Sequence, residues 1–382
     1  MASETLKNSS KPVPLLEPDI GPAERARVDQ CLADNWVSSA GPYVSAFEKR
    51  VAGLANRRHG IATASGTAAL HLALLSLGIG RDDFVLVPDW TFSASANAVI
   101  HAGAVPVFID IDPESWDLDA SSLEQALSGL DRKPAAMMVV DPPSLLGDLP
   151  RWEAMARGHG IPLIEDAAGA LGSRRESRPA GHFGTLSTFS FNGNKILTTG
   201  GGGMMVTDDD ALAEKARHFS AQARTGQVYR YDAAGYNFRM PSLNAALGLA
   251  QCDRLDAMLS RKREIAARYR AFFDGNNHLS FMPLNNLQDS NAWMSCCVTD
   301  TTDAAEDLVR HLDVAGIMAR PFWCGLSDQP PYQAYPAYLS GGSARLSGRV
   351  VSLPSSSTLT DQDLDRVLAA LQEWPHQQGL PS

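Results

Sequence analysis

At 382 residues, with 44% apolar and 20% charged residues, the chain has the balance of a folded globular protein and enough length for two domains around a sizeable core. A net charge of −10, from 33 basic and 43 acidic residues, excludes general attraction to nucleic acid or an anionic membrane. No apolar run approaches a membrane span, the opening MASETLKNSSKP has no signal-peptide core, and the five cysteines include no CxxC pair; a cytoplasmic protein without a metal centre is expected.

Residues 1–22 read as an N-terminal arm, 23–255 as a large domain and 256–382 as a smaller one. In the large domain short apolar runs alternate with helical patterns, the mark of parallel strands joined by crossover helices. The first strand, HGIATA, runs into a Ser65-Gly66-Thr67 turn and the helix GTAALHLALLSLG. Ser65 reads equally well as an ordinary cap or as part of an anion site, since the free amides and dipole of a helix start hold phosphate without a cationic side chain. DFVLVP is the second strand, followed by VPDWTFSASANAV with Trp90 and Phe92. Aromatics there are commonly core, but a flat cofactor needs a stacking partner, and Phe92 suits that role better than Trp90.

VPVFID and AAMMVV are the third and fourth strands, PRWEAMARGHG a helix, and IPLIED the fifth strand, ending in Asp166 before the small residues AAGALGS. An aspartate at a strand end is often a helix cap; opposite a pyridine nitrogen it keeps that nitrogen protonated and the ring a better electron sink. LSTFSF, the sixth strand, carries Ser190 and precedes Lys195, which is hemmed by apolar and glycine-rich sequence rather than by charge. A lysine that acts as a nucleophile must be neutral, and a desolvated site promotes that form, so Lys195 is expected to hold pyridoxal phosphate (PLP) as a Schiff base. Glycines 200–203 lack the GxGxxG spacing and read as a tight turn into the seventh strand, GMMVTD.

Further on, ALAEKARHFSAQAR is helical, and a long helical pattern from LNAALGLAQ to Gly275 reads as a connector. WMSCCVTD and IMARPFW read as strands around a helical TDAAEDLVRHLDVAG, and LTDQDLDRVLAALQEW closes the chain as a helix. The fold class is α/β, a mostly parallel seven-stranded sheet in the large domain with a smaller C-terminal α+β domain.

In this order, SGTAALHLAL, VPDWTFSASANAV, LIEDAAGALGS, FSFNGNKILTTGGGGM and GYNFRMPSLNAALGLAQ resemble the DegT/DnrJ/EryC1/StrS sugar aminotransferases, and the resemblance spans nearly the whole chain. It implies the type I fold of PLP enzymes and a homodimer with shared active sites. Motif by motif, it implies Lys195 as the Schiff-base lysine, Asp166 as partner of the pyridine nitrogen, Phe92 as stacking ring, and Gly66, Thr67 and Ser190 as the phosphate cradle. Asn237 matches an asparagine sent from the neighbouring subunit to the phosphate. NWVSSAG, SFNGNK, FSAQAR and ARPFW resemble the branch that aminates C4 of nucleotide-linked 4-keto-6-deoxy sugars, UDP sugars being the expected substrates and glutamate the donor. Trp36, Ser38, Arg224, Trp293, Arg320 and Trp323 are then implied substrate contacts, the arginines suiting a pyrophosphate.

Two positions depart from the family pattern. Gly169 stands where relatives carry Gln, His or Glu, and Ser144-Leu145-Leu146-Gly147, after Pro142 and Pro143, stands where many read His-x-Tyr-Gly. The glycine is expected to leave a gap that a water or part of a bulkier substrate fills. Three other readings follow: a cofactor-binding sensor or inactive partner subunit, a sugar dehydratase of the same fold, and a nicotinamide-dependent oxidoreductase. Lys195 opposes the dehydratase, since relatives with that chemistry carry histidine there; the missing phosphate-loop spacing opposes the oxidoreductase.

Overall fold

The computed structural model describes residues 11–226, 228–276, 278–284 and 286–375, so residues 1–10 of the expected arm lie outside the described residues. All seven strands of the alternating region form one sheet, in the order 59–63, 203–207, 186–190, 163–166, 136–140, 84–88 and 105–109. Ala337–Tyr338 adds an eighth strand beside 105–109 that was not foreseen, because two residues carry no periodicity. The sheet is mostly parallel; the strand 203–207 runs antiparallel to both of its neighbours.

Burial on both faces explains why the strands read as continuous apolar runs. Helices Gly66–Leu77, Ala94–His101 and Asp210–Ser220 pack on one face, and Ala120–Gly129 and Leu149–Gly158 on the other. The helix Gly66–Leu77 starts where Ser65 Oγ accepts from the Ala68 amide at 3.1 Å and stops at Gly78, whose φ of +79° only glycine adopts without strain. Strands 59–63, 84–88, 136–140, 163–166 and 186–190 all end on the same edge, where ligands of open α/β sheets gather.

Ser242–Phe273 is a single helix of 32 residues, about 48 Å long at 1.5 Å per residue. It packs against helices Pro22–Ala33 and Pro42–Leu54 at one end and reaches the second sheet at the other, passing residue 255 without a break. That second sheet is antiparallel, in the order 279–281, 295–299, 350–353 and 320–321, and is covered by helices Thr302–Val314 and Asp361–Glu373 through Leu308, Leu312, Leu364 and Val367. Of the expected strand IMARPFW only Arg320–Pro321 joins the ladder, since Pro321 has no amide to donate and sits on an edge. Trp293 and Met294 precede the ladder, which begins at Ser295. Among the described residues no helix is long and apolar enough to cross a membrane.

Candidate active site

A cavity of about 650 Å³ opens at the carboxyl edge of the large sheet, with Asp166, Lys195, Phe92, Ser190, Thr67 and Arg320 among its walls. Asp166 ends its strand and is buried; its Oδ2 accepts from Ser95 Oγ at 2.8 Å and its Oδ1 from the Ala168 amide at 3.2 Å. The local turn accounts for one oxygen and leaves the carboxylate facing the cavity. Burial pushes the Asp166 carboxyl up, opposed by the Ser95 and Ala168 hydrogen bonds and by the nearby Lys195. A cationic ring beside it would pull it further back toward the ionised form. Ser95 escaped the sequence reading, although it lies within VPDWTFSASANAV one helical turn after Thr91.

Lys195 sits in the turn after strand 186–190, its amide bonded to the Asn192 carbonyl at 3.0 Å. Desolvation lowers its pKa to about 8, against the pull of Asp166. Lys262, which unlike the half-buried Lys195 is fully buried, is lowered still further, to about 7, also by burial. Its amine donates to the carbonyls of Trp293, at 3.0 Å, and Ser355, so it is engaged in structure, whereas the Lys195 amine faces the cavity. Geometry, not acidity, singles out Lys195. Because only the neutral amine attacks a carbonyl, attachment of PLP to the cofactor-free protein is expected to speed up as pH rises through about 8 and level off above it. Stopped-flow absorbance against pH measures this; a midpoint near the ordinary lysine value would mean that the amine is solvated.

The place where a phosphate would sit, at the start of helix Gly66–Leu77, is walled by close approaches of the chain. A Cβ on Gly66 would meet Ser190 Cβ at 2.8 Å, and one on Gly203 would meet the Ser65 carbonyl oxygen at 2.4 Å, so the turn and the glycine run press together beside the helix start. Phe92 is 60% exposed at the cavity wall, whereas Trp90 is 3% exposed and donates its Nε1 to the Trp323 carbonyl at 2.8 Å. Trp90 is core and Phe92 is free to cover a ring. Helix amides for a phosphate, a carboxylate for a pyridine nitrogen, an aromatic face and a desolvated amine together fit PLP. Trp293, Arg320 and Trp323 also line the cavity. Trp36, Ser38, Arg224 and Asn237 do not: the Ser38 carbonyl accepts the Ser242 amide at 2.7 Å, Arg224 lies in a short hairpin, and Asn237 bridges to Ala221.

Residues 18–372 match the family model of the DegT/DnrJ/EryC1/StrS aminotransferase family. The chain belongs to that family. It is 35% identical over 372 residues to the GDP-perosamine synthase of Escherichia coli O157:H7, covering 95% of this chain and 99% of that protein. A DegT/DnrJ/EryC1/StrS aminotransferase from Brucella abortus has the same fold, with a TM-score of 0.85 and 29% identity over 92% of this chain and 94% of that one. DesI, crystallised in the presence of its TDP-sugar product, gives a TM-score of 0.87 and 30% identity over 95% of this chain and 93% of that one. By this membership the chain is a PLP-dependent aminotransferase.

Both departures from the family pattern have structural counterparts. The expected gap at Gly169 is absent: a Cβ there would lie 2.5 Å from the Trp293 indole, which occupies the space. Ser144, buried and at φ +65°, donates Oγ to the Met294 carbonyl at 2.6 Å and accepts the Met294 amide at 2.8 Å. The residue that replaces part of the family motif thus fastens the large domain to the segment leading into strand 295–299.

Proposed function

We propose that this aminotransferase moves an amino group from glutamate to C4 of a UDP-linked 4-keto-6-deoxy sugar, by a ping-pong route, in the synthesis of an amino sugar or surface glycan. The observation that carries the reading is the convergence of Lys195, Asp166 and the helix start at Gly66 on one cavity that also presents Arg320. Bound PLP supplies the electron sink for both half-reactions. Asp166 would keep a pyridine nitrogen beside it protonated, and the Lys195 amine would carry the proton between the reacting carbons. Arg320 supplies a fork that suits a pyrophosphate. Relatives named for GDP-perosamine and for a TDP-sugar product support a nucleotide-linked sugar; the UDP preference rests on the segments NWVSSAG, SFNGNK, FSAQAR and ARPFW. The test is incubation with glutamate and UDP-, GDP- or TDP-linked 4-keto-6-deoxy sugars, following product mass. Amine formed from the UDP sugar first is the expected result. No amine from any of the three, in protein whose cofactor glutamate does convert, would overturn the sugar assignment.

The working unit in this reading is a homodimer, with Asn237 acting on the partner's cofactor phosphate and Trp36, Ser38 and Arg224 on the partner's substrate. Its support is the position of these four residues outside the cavity of their own chain. Mixing Lys195→Ala with Asn237→Ala subunits is then expected to regenerate activity at about a quarter of the sites, because half the dimers are mixed and each has one intact site. If both residues serve the same chain's site, mixing restores nothing.

A further inference from the structure

Two departures far apart in sequence meet at one segment, Ser290–Met294. Asn291 Nδ2 donates to the carbonyls of Gly169 and Leu171 at 2.7 and 3.0 Å, and its Oδ1 accepts the Trp293 amide at 3.0 Å. Ser144 Oγ holds both the amide and the carbonyl of Met294, and Lys262 Nζ holds the carbonyl of Trp293 at 3.0 Å. So clamped, the indole of Trp293 is 5% exposed and donates Nε1 to the Asn194 carbonyl at 2.7 Å. Its ring centroid lies 3.9 Å from Lys195 Nζ. One side chain therefore grips the backbone immediately before the lysine and also lies beneath its amine.

We propose that Trp293 is a positioning residue for Lys195: its indole face receives the amine whenever that amine is not joined to the cofactor, and Gly169 is the residue that makes room for it. The proposal rests on the reading of Lys195 as the cofactor-bearing lysine. An aromatic face attracts an ammonium most strongly where water is excluded. The indole thus opposes desolvation, as Asp166 does; Asp141 and Arg320 are the other ionisable groups on the cavity wall. A side chain at 169 and the indole cannot share the space, so the glycine and the tryptophan form a matched pair. The partner supplying the indole comes from the lead-in to the small sheet, which ties the seating of the lysine to the packing of the C-terminal part of the chain.

The test uses full-length cofactor-free protein and PLP itself as the probe, reading the rate of covalent attachment against pH. Trp293→Leu is expected to lower the midpoint by about half to one pH unit, because the charged amine loses its aromatic partner. Trp293→Phe, which keeps a ring, should hold the midpoint close to that of the parent. Trp293→Met is read in parallel with Trp293→Leu, so that a folding defect in one variant does not decide the matter. Gly169→Gln should reproduce the Trp293→Leu midpoint by displacing the indole, and adding Gly169→Gln to Trp293→Leu should change nothing further. A midpoint that stays put or rises in both Trp293→Leu and Trp293→Met, or a Gly169→Gln protein indistinguishable from the parent, would overturn the inference. A Lys195→Ala control separates the two levels: if attachment persists without Lys195, the cofactor-lysine reading itself fails, whereas attachment that depends on Lys195 but ignores Trp293 removes the Trp293 inference alone.

Discussion

The Lys195→Ala protein is expected to fold, to retain PLP without a covalent link, and to transfer amino groups about a hundred- to ten-thousand-fold more slowly than the parent, the range a positioned general acid–base contributes. Folding should survive because, among the described residues, the lysine amine makes no hydrogen bond and touches only the Trp293 ring, and truncating the side chain leaves the backbone hydrogen bond to the Asn192 carbonyl in place. Retention should survive because the helix start at Gly66, the Ser190 hydroxyl and Asp166 are untouched. Single-turnover absorbance with glutamate, alongside the PLP content after gel filtration, separates the two effects. A variant that loses the cofactor altogether would show that Lys195 anchors rather than catalyses, and one within threefold of the parent would remove it from the chemistry.

Asp166→Asn is expected to slow the reaction by about ten- to a hundred-fold, the worth of one charge-assisted hydrogen bond made to the reacting system. The amide keeps the size of the carboxylate and one oxygen for Ser95 or Ala168, so the cavity wall should stand. What it loses is the negative charge that keeps a pyridine nitrogen protonated. The sign of the pH effect follows from the same geometry. Burial raises the Asp166 carboxyl, so in the parent the ionised fraction, and with it the rate, should fall at acidic pH. In Asp166→Asn that acidic limb should vanish, while the limb set by Lys195 remains but moves below pH 8, because the carboxylate that holds the amine's pKa up is gone. Steady-state rates between acidic and alkaline pH at saturating glutamate measure both; an acidic limb that persists in the variant would assign it to another group.

Much of this architecture was legible in the sequence because its signals are local. The seven longer strands of the large sheet are short, mostly apolar runs, and Lys195, Asp166 and Gly66 are marked by their places at or just past the ends of those strands. What escaped was set by contacts between distant positions. Ser95 fixes Asp166 across 71 residues, and nothing in its neighbourhood distinguishes it from the other serine of SASAN. Ala337–Tyr338 becomes a strand only because the edge of 105–109 is there to receive it. Gly169 read as a loss because a glycine says nothing of what packs against it, and Trp293, which fills the space, lies on the far side of the connecting helix in sequence. Lys262 illustrates the converse limit, since a buried lysine is visible as such only once the two carbonyls that hold it are known.

That lysine also sharpens the most direct test of the account. Borohydride reduction of the PLP-loaded protein fixes the cofactor to whichever amine holds it, and peptide mapping then names the residue. The account predicts a single pyridoxyl tag on Lys195, in the peptide containing FNGNKIL. A tag on Lys262 or any other lysine, or loaded protein that reduction leaves untagged, would contradict it.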